Sequence, residues 1–220
     1  MIRRIHCIGN SHAQVFSGQK TMIPEWPTLH NLDQYPFFKT YRLGPTIAYN
    51  FYEHHFPKVL EILETIQIDK ETEAVLLCSS EVDCRWHLPR QIQLQNDKKD
   101  HQIVAECVER YFRSFIHLKD LGYKVFAFGT HPTTTSGHCD TGDVVFGNVE
   151  YRNRICRLFN TFLWSNCQIH GINFISIYEQ LVDENNITKM EYLMDYCHLK
   201  SEKCMPLILN AFAKLGYILR

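Results

Sequence analysis

Apolar positions along this chain follow two rhythms. Five short, nearly continuous runs end in glycine, serine or other turn-prone residues: Ile5 to Ile8, Lys39 to Leu43, Ala74 to Cys78, Lys124 to Phe128 and Ile172 to Ile175. Runs of that length without strict alternation predict strands covered on both faces. Between them, apolar residues recur at helical spacing. Val59, Leu60, Leu63 and Ile66 follow Pro57; Val104, Val108, Tyr111, Phe112, Phe115 and Leu118 are closed by Gly122; Ile155, Leu158, Phe159, Phe162 and Leu163 form a third set. A last helix carries Ile208, Ala211, Phe212 and Leu215, with Ser201 as its expected cap and Pro206 predicting a kink or a later start. Shorter helical turns are expected over His12 to Ser17 and Thr46 to Tyr52.

Strand and helix in alternation predict an α/β protein: a three-layer α/β/α sandwich with a parallel sheet of about five strands. One domain is expected over residues 1–220, with ligands outside the carboxyl ends of the strands. Residues 18 to 38 break the rhythm, being rich in aromatics and interrupted by Pro24, Pro27 and Pro36. This loop is expected near the mouth of the site, as a substrate wall or simply packed on the core.

Bulk properties narrow the function. The chain is 45% hydrophobic and 21% charged, with a net charge of -1 and no block of Lys or Arg, which speaks against a nucleic-acid partner. No apolar run is long enough to span a bilayer, and Met1-Ile2-Arg3-Arg4 leads straight into a strand, so a soluble, cytoplasmic protein without a membrane partner is expected. Nine scattered cysteines, an odd number, read as reduced thiols. Oligomeric state is not legible.

Reactive side chains gather after strands. Gly9-Asn10-Ser11-His12 follows the first, and Asp195-Tyr196-Cys197-His198 lies ahead of the last helix. A serine hydroxyl is a weak nucleophile until a hydrogen-bonded base takes its proton, and a carboxylate can orient that base. The third strand exits into Ser79-Ser80-Glu81-Val82-Asp83-Cys84-Arg85-Trp86-His87, either a reactive cluster or a salt-bridged loop. Two sets hold metal-ligand types, Cys78 with Cys84 and His87, and Cys197 with His198 and Cys204, but neither has the paired Cys-x-x-Cys spacing of a structural zinc site. Glycine-rich phosphate-binding motifs are missing, so no metal or cofactor is expected.

Gly9-Asn10-Ser11, Gly44 at the second strand end and Asp195-x-x-His198 together resemble the SGNH, or GDSL-type, hydrolases. The resemblance implies a flavodoxin-like sheet, with Ser11 as nucleophile, His198 as general base and Asp195 as its orienting carboxylate. It also assigns the oxyanion to the backbone N–H groups of Ser11 and Gly44. The chain departs from the family at the third block, where Val82 stands in place of an asparagine donor. The block is similar to a subgroup with Gly-Glu-Ile-Asp-Cys-Arg and a nearby histidine. Arg85 or His87 is therefore expected to replace the donor or to bind an anionic substrate group, oriented by Glu81 or Asp83.

His12 is expected to line the site or to pack beneath the turn, His131 to lie at the surface, and Arg152, Asn153 and Asn160 to be solvated or capping groups. The expected activity is serine-dependent ester hydrolysis through an acyl-serine, the substrate implied by the resemblance being an O-acylated glycan or other small ester. Acyl transfer to a glycan, or glycan binding by an inactive site, are the alternatives.

Overall fold

A computed structural model describes residues 2–95, 97–135 and 146–219. Cys139 and the centre of the loop that follows the fourth strand lie outside the described residues. The five apolar runs form β1 (Arg4–Gly9), β2 (Phe38–Arg42), β3 (Glu73–Cys78), β4 (Lys124–Phe128) and β5 (Asn173–Ile175). All pair in parallel, in the order β2-β1-β3-β4-β5. In this order β1 lies between β2 and β3, and the chain winds from it first one way, to β2, and then the other, to β3, β4 and β5, which opens a crevice at the carboxyl ends of β1 and β3.

Alternation along the strands sorts side chains to two cores. Ile8, Val75, Leu77, Val125 and Ala127 meet the apolar stripes of α2 (Phe56–Ile66), α4 (Asp100–Asp120) and α5 (Val149–His170). Short α1 (Phe51–His54) and α3 (Leu88–Leu94) complete that layer. Ile5, Cys7, Ala74, Leu76 and Phe126 face the other way, against α6 (Ser201–Lys214) and the 3-10 helix Ser11–Phe16. The result is the expected three-layer α/β/α sandwich.

Three details differ from expectation. Lys200, not Ser201, occupies the N-cap position of α6, and Ser201 Oγ instead donates to Val15 O at 2.5 Å, tying α6 to the 3-10 helix. The helix starts at Ser201 and runs through Pro206. Residues 18–38 do not wall the crevice. Trp26 N–H donates to Arg42 O at 2.8 Å and His30 Nε2 to Thr40 O at 2.9 Å, so this segment covers the outer edge of β2 and borders a separate cavity of about 440 Å³. An uncovered parallel edge would leave backbone groups unpaired, and that demand decides where the aromatic loop goes.

The amino-terminal strand ends are held by Glu73, which accepts from Arg3 at 3.1 Å and Arg4 at 3.3 Å and pairs with His6 at 3.0 Å. His6 is thus part of the frame. On the opposite core, Phe16 is fully buried and its ring meets Phe38 at 5.1 Å and Phe128 at 5.0 Å. Phe16→Ala is expected to lower the unfolding free energy by about 3–5 kcal/mol, measured by urea denaturation.

Candidate active site

At the end of β1 a side chain cannot fit. A Cβ on Gly9 would come within 1.8 Å of Cys78 O, so glycine alone lets β1 run this close to β3 before the chain turns. The turn is then fastened. Asn10 N–H donates to Ser79 Oγ at 3.1 Å, Asn10 Oδ1 accepts from His12 N–H at 3.0 Å, and Asn10 Nδ2 donates to Thr46 O at 3.2 Å. Thr46 Oγ1 closes the ring of contacts by donating to Ser79 Oγ at 2.9 Å. The ends of β1, β2 and β3 are thereby locked together with Ser11 at their centre. Gly44 sits here at φ +86°, where a Cβ would meet Glu25 Oε1 at 2.3 Å.

The segment ahead of α6 folds back on itself, with Met194 N–H donating to His198 O at 2.8 Å. Asp195 Oδ1 accepts the backbone N–H of Cys197 at 2.8 Å and of His198 at 2.7 Å, while Oδ2 takes His198 Nδ1 at 2.7 Å. Burial opposes ionisation of Asp195, but these bonds outweigh it and hold the carboxyl below the usual carboxylate range. An ionised Asp195 only accepts, so His198 Nδ1 carries the proton and Nε2 is left to accept from Ser11 Oγ, 2.8 Å away.

Ser11, Gly44, Val82, Arg85, Tyr196 and Arg42 share a cavity of about 470 Å³ with this chain. Arg85 comes from a single π-helical turn, Asp83–His87, and its side chain is only 9% exposed. Its Nε donates to Glu81 Oε1 at 3.0 Å and Oε2 at 3.2 Å. The structure therefore brings Arg85 and Glu81 together at the site, and separates the other expected pair. Asp83 points to the opposite side, accepting from Ala48 N–H at 2.5 Å and Tyr49 N–H at 3.2 Å, and the His87 ring packs at a tilt against Tyr49, centroids 4.9 Å apart, with no place in the cavity wall. The π turn puts Arg85 out of phase with both, since one added residue rotates the side chains that follow.

No family model matches the chain, and no curated protein matches it in sequence. Solved structures do align, over nearly its whole length. A GDSL-like lipase from Bacteroides thetaiotaomicron aligns over 98% of this chain and 89% of its own, with TM-score 0.58 and 12% identity. A catalytic mutant of an acetylxylan esterase from Geobacillus stearothermophilus aligns over 99% and 96%, with TM-score 0.58 and 13% identity. The chain has the GDSL-type, or SGNH, hydrolase fold.

Around this GDSL-type frame, one residue takes the second of its two expected places and four others lie where the sequence did not place them. His12 packs beneath the Ser11 turn rather than in the cavity wall; its ring centroid is 4.8 Å from that of His198. His131 is not at the surface but 3% exposed, with Nε2 3.0 Å from His12 Nδ1. Arg152 and Asn153 are buried, not solvated. Arg152 donates to Thr134 O at 2.7 Å and Gly147 O at 2.5 Å, and Asn153 Oδ1 accepts Thr133 N–H at 2.9 Å. Asn160, also buried, both accepts from Thr130 N–H and donates to Thr130 O at 2.8 Å. Together they clamp the segment after β4 to α5 and so set His131 against His12. The signal was present: residues 152, 153 and 160 are in phase with Cys156 and Phe159 on the buried face.

Among the described residues one trio of metal-ligand types comes together, His12, Cys197 and His198, with ligand atoms within 4.8 Å of one another. Every ring nitrogen of both histidines is already engaged, to Glu81, His131, Asp195 and Ser11, so an ion here would have to break those bonds. Burial pushes the Cys197 thiol up, which keeps it protonated and a poor ligand. No helix among the described residues is long and apolar enough to cross a membrane.

Burial raises the Asp83 carboxyl from 3.8 to about 7, against the two backbone N–H donors. Between those two values the folded state binds a proton that the unfolded chain has lost, so the Asp83 contribution to stability is full below about pH 4 and falls as pH rises through about 7. Asp83→Asn is expected to flatten that part of the pH profile of urea midpoints. An unchanged slope would show that other groups set it.

Proposed function

We propose that the chain is a serine-dependent ester hydrolase working through an acyl-serine. One observation carries the reading: the continuous chain from Asp195 Oδ2 to His198 Nδ1 at 2.7 Å and from His198 Nε2 to Ser11 Oγ at 2.8 Å, opening into a cavity. Ser11 Oγ attacks the ester carbonyl carbon as its proton passes to His198 Nε2, and Asp195 stabilises the imidazolium. The tetrahedral oxyanion is bound by the backbone N–H groups of Ser11 and Gly44 and by the Arg85 guanidinium, which stands in for the asparagine donor that Val82 cannot supply. Collapse expels the alcohol, which takes the proton from His198. Water, deprotonated by His198, then attacks the acyl-serine and releases the carboxylic acid.

Arg85 suits the role because its Nε is held by Glu81, which fixes the plane of the fork before substrate arrives. A short acyl ester of a glycan is the proposed substrate class; it is supported by the acetylxylan esterase among the structures of like fold. The chemistry needs no cofactor.

A fluorophosphonate probe is expected to label Ser11 of the wild type, with the modified peptide located by mass spectrometry, and to leave Ser11→Ala and His198→Ala unlabelled. Arg85→Gln is expected to remain folded by circular dichroism while hydrolysis of p-nitrophenyl acetate falls about 10²–10³-fold. A folded wild type that neither labels nor hydrolyses would sink the hydrolase reading.

A further inference from the structure

Beneath Ser11, three buried groups from three different strand ends form a chain with a definite number of protons. Glu81 Oε2 lies 2.8 Å from His12 Nε2, His12 Nδ1 lies 3.0 Å from His131 Nε2, and His131 Nδ1 lies 2.9 Å from Pro132 O. A carbonyl oxygen only accepts, so His131 Nδ1 carries a proton. Glu81 takes the Arg85 Nε–H on both oxygens, the arrangement of an ionised carboxylate, so His12 Nε2 carries one as well. The bond between the two rings needs a third. Two neutral imidazoles hold two protons, and this chain holds three.

We infer that the His12–His131 pair carries one extra proton as a buried imidazolium ion-paired to Glu81, and that His12 is thereby a positioning residue for His198. The charge sits on His12. Burial and the neighbouring His12 bring His131 down to about 3, so His131 is the neutral ring and its Nε2 accepts from His12 Nδ1–H. Burial outweighs Glu81 and leaves the His12 imidazole below its ordinary value, against the charge; the bond between the rings, which two neutral imidazoles with these outer partners cannot make, decides for the charge. For Glu81, burial opposes ionisation, but facing His12 and Arg85 more than offset it. The groups facing His12 are Glu81 and Arg85 from the segment after β3, His131 from that after β4, and Cys197 and His198 from ahead of α6. Arg152 of α5 adds a further cation whose field reaches Glu81 and Arg85.

The His12 ring lies against the His198 ring at 32° between planes. A fixed cation there holds the His198 ring in place and disfavours a second charge on it before Ser11 gives up its proton. The proton count itself does not depend on the hydrolase reading; only the catalytic use of it does.

The test is a ¹⁵N-histidine NMR titration of the wild-type protein, its ring signals assigned by through-bond correlation to the backbone, with His12→Gln and His131→Gln as checks. At neutral pH three of the four ring nitrogens of His12 and His131 are expected to carry protons, both of them on His12 included. Two neutral rings would overturn the inference, and the wild-type spectrum decides this even if the variants do not fold. In His12→Gln, kcat for p-nitrophenyl acetate is expected to fall about 10²-fold with KM unchanged, because the facing group that holds the His198 ring is gone; an unmoved kcat would reduce His12 to packing. Absence of Ser11 labelling, by contrast, would leave the NMR result standing and count only against the proposed reaction.

Discussion

A carboxylate with almost no access to water organises the centre of this molecule. Glu81 is 2% exposed, and an ion of that kind costs several kcal/mol to bury unless partners meet every lone pair. Arg85 meets it from one side and His12 from the other. Because Arg85 faces the cavity and His12 lies under His198, satisfying one buried charge fixes groups on both sides of the serine. The arrangement is also fragile in a particular way: removing either partner leaves Glu81 buried with a deficit, so the two sides of the site are coupled through it.

The sheet supplies the other constraint. Gly9 is in register with Arg42 on one side and Cys78 on the other, so the segments leaving β1, β2 and β3 all start from one level. Asn10, Thr46 and Ser79 then bind the three exits to each other through short polar side chains. A fold shared with proteins only 12% or 13% identical survives such divergence because backbone pairing and layer packing tolerate many side chains.

The strands and helices were readable because their periods are set by burial: continuous apolar runs for a sheet covered on both faces, and a 3.6-residue stripe for its helices. The neighbourhood of Ser11, Gly44, Asp195 and His198 followed from where those elements end. What sits between elements was less legible. Pro- and aromatic-rich residues 18–38 pack well in many places, and only the open edge of β2 determines where they go. Asp83, Arg85 and His87 could not be told apart because a π turn shifts the phase that an ordinary helix would predict. His131 looked like a surface residue because its partner, His12, is 119 positions away, and no local pattern reports a contact of that range.

The clamp from α5 has a consequence for how the chain can change in length. Arg152, Asn153 and Asn160 reach the segment after β4 only while they share one face of the helix. One residue inserted between Asn153 and Asn160 would turn the two ends of that face apart by about 100°. An insertion outside the helix would leave the face intact. Divergence in length is therefore channelled into loops, and α5 behaves as a ruler whose register is read out, through Thr130 to Thr134, at a histidine beneath the serine.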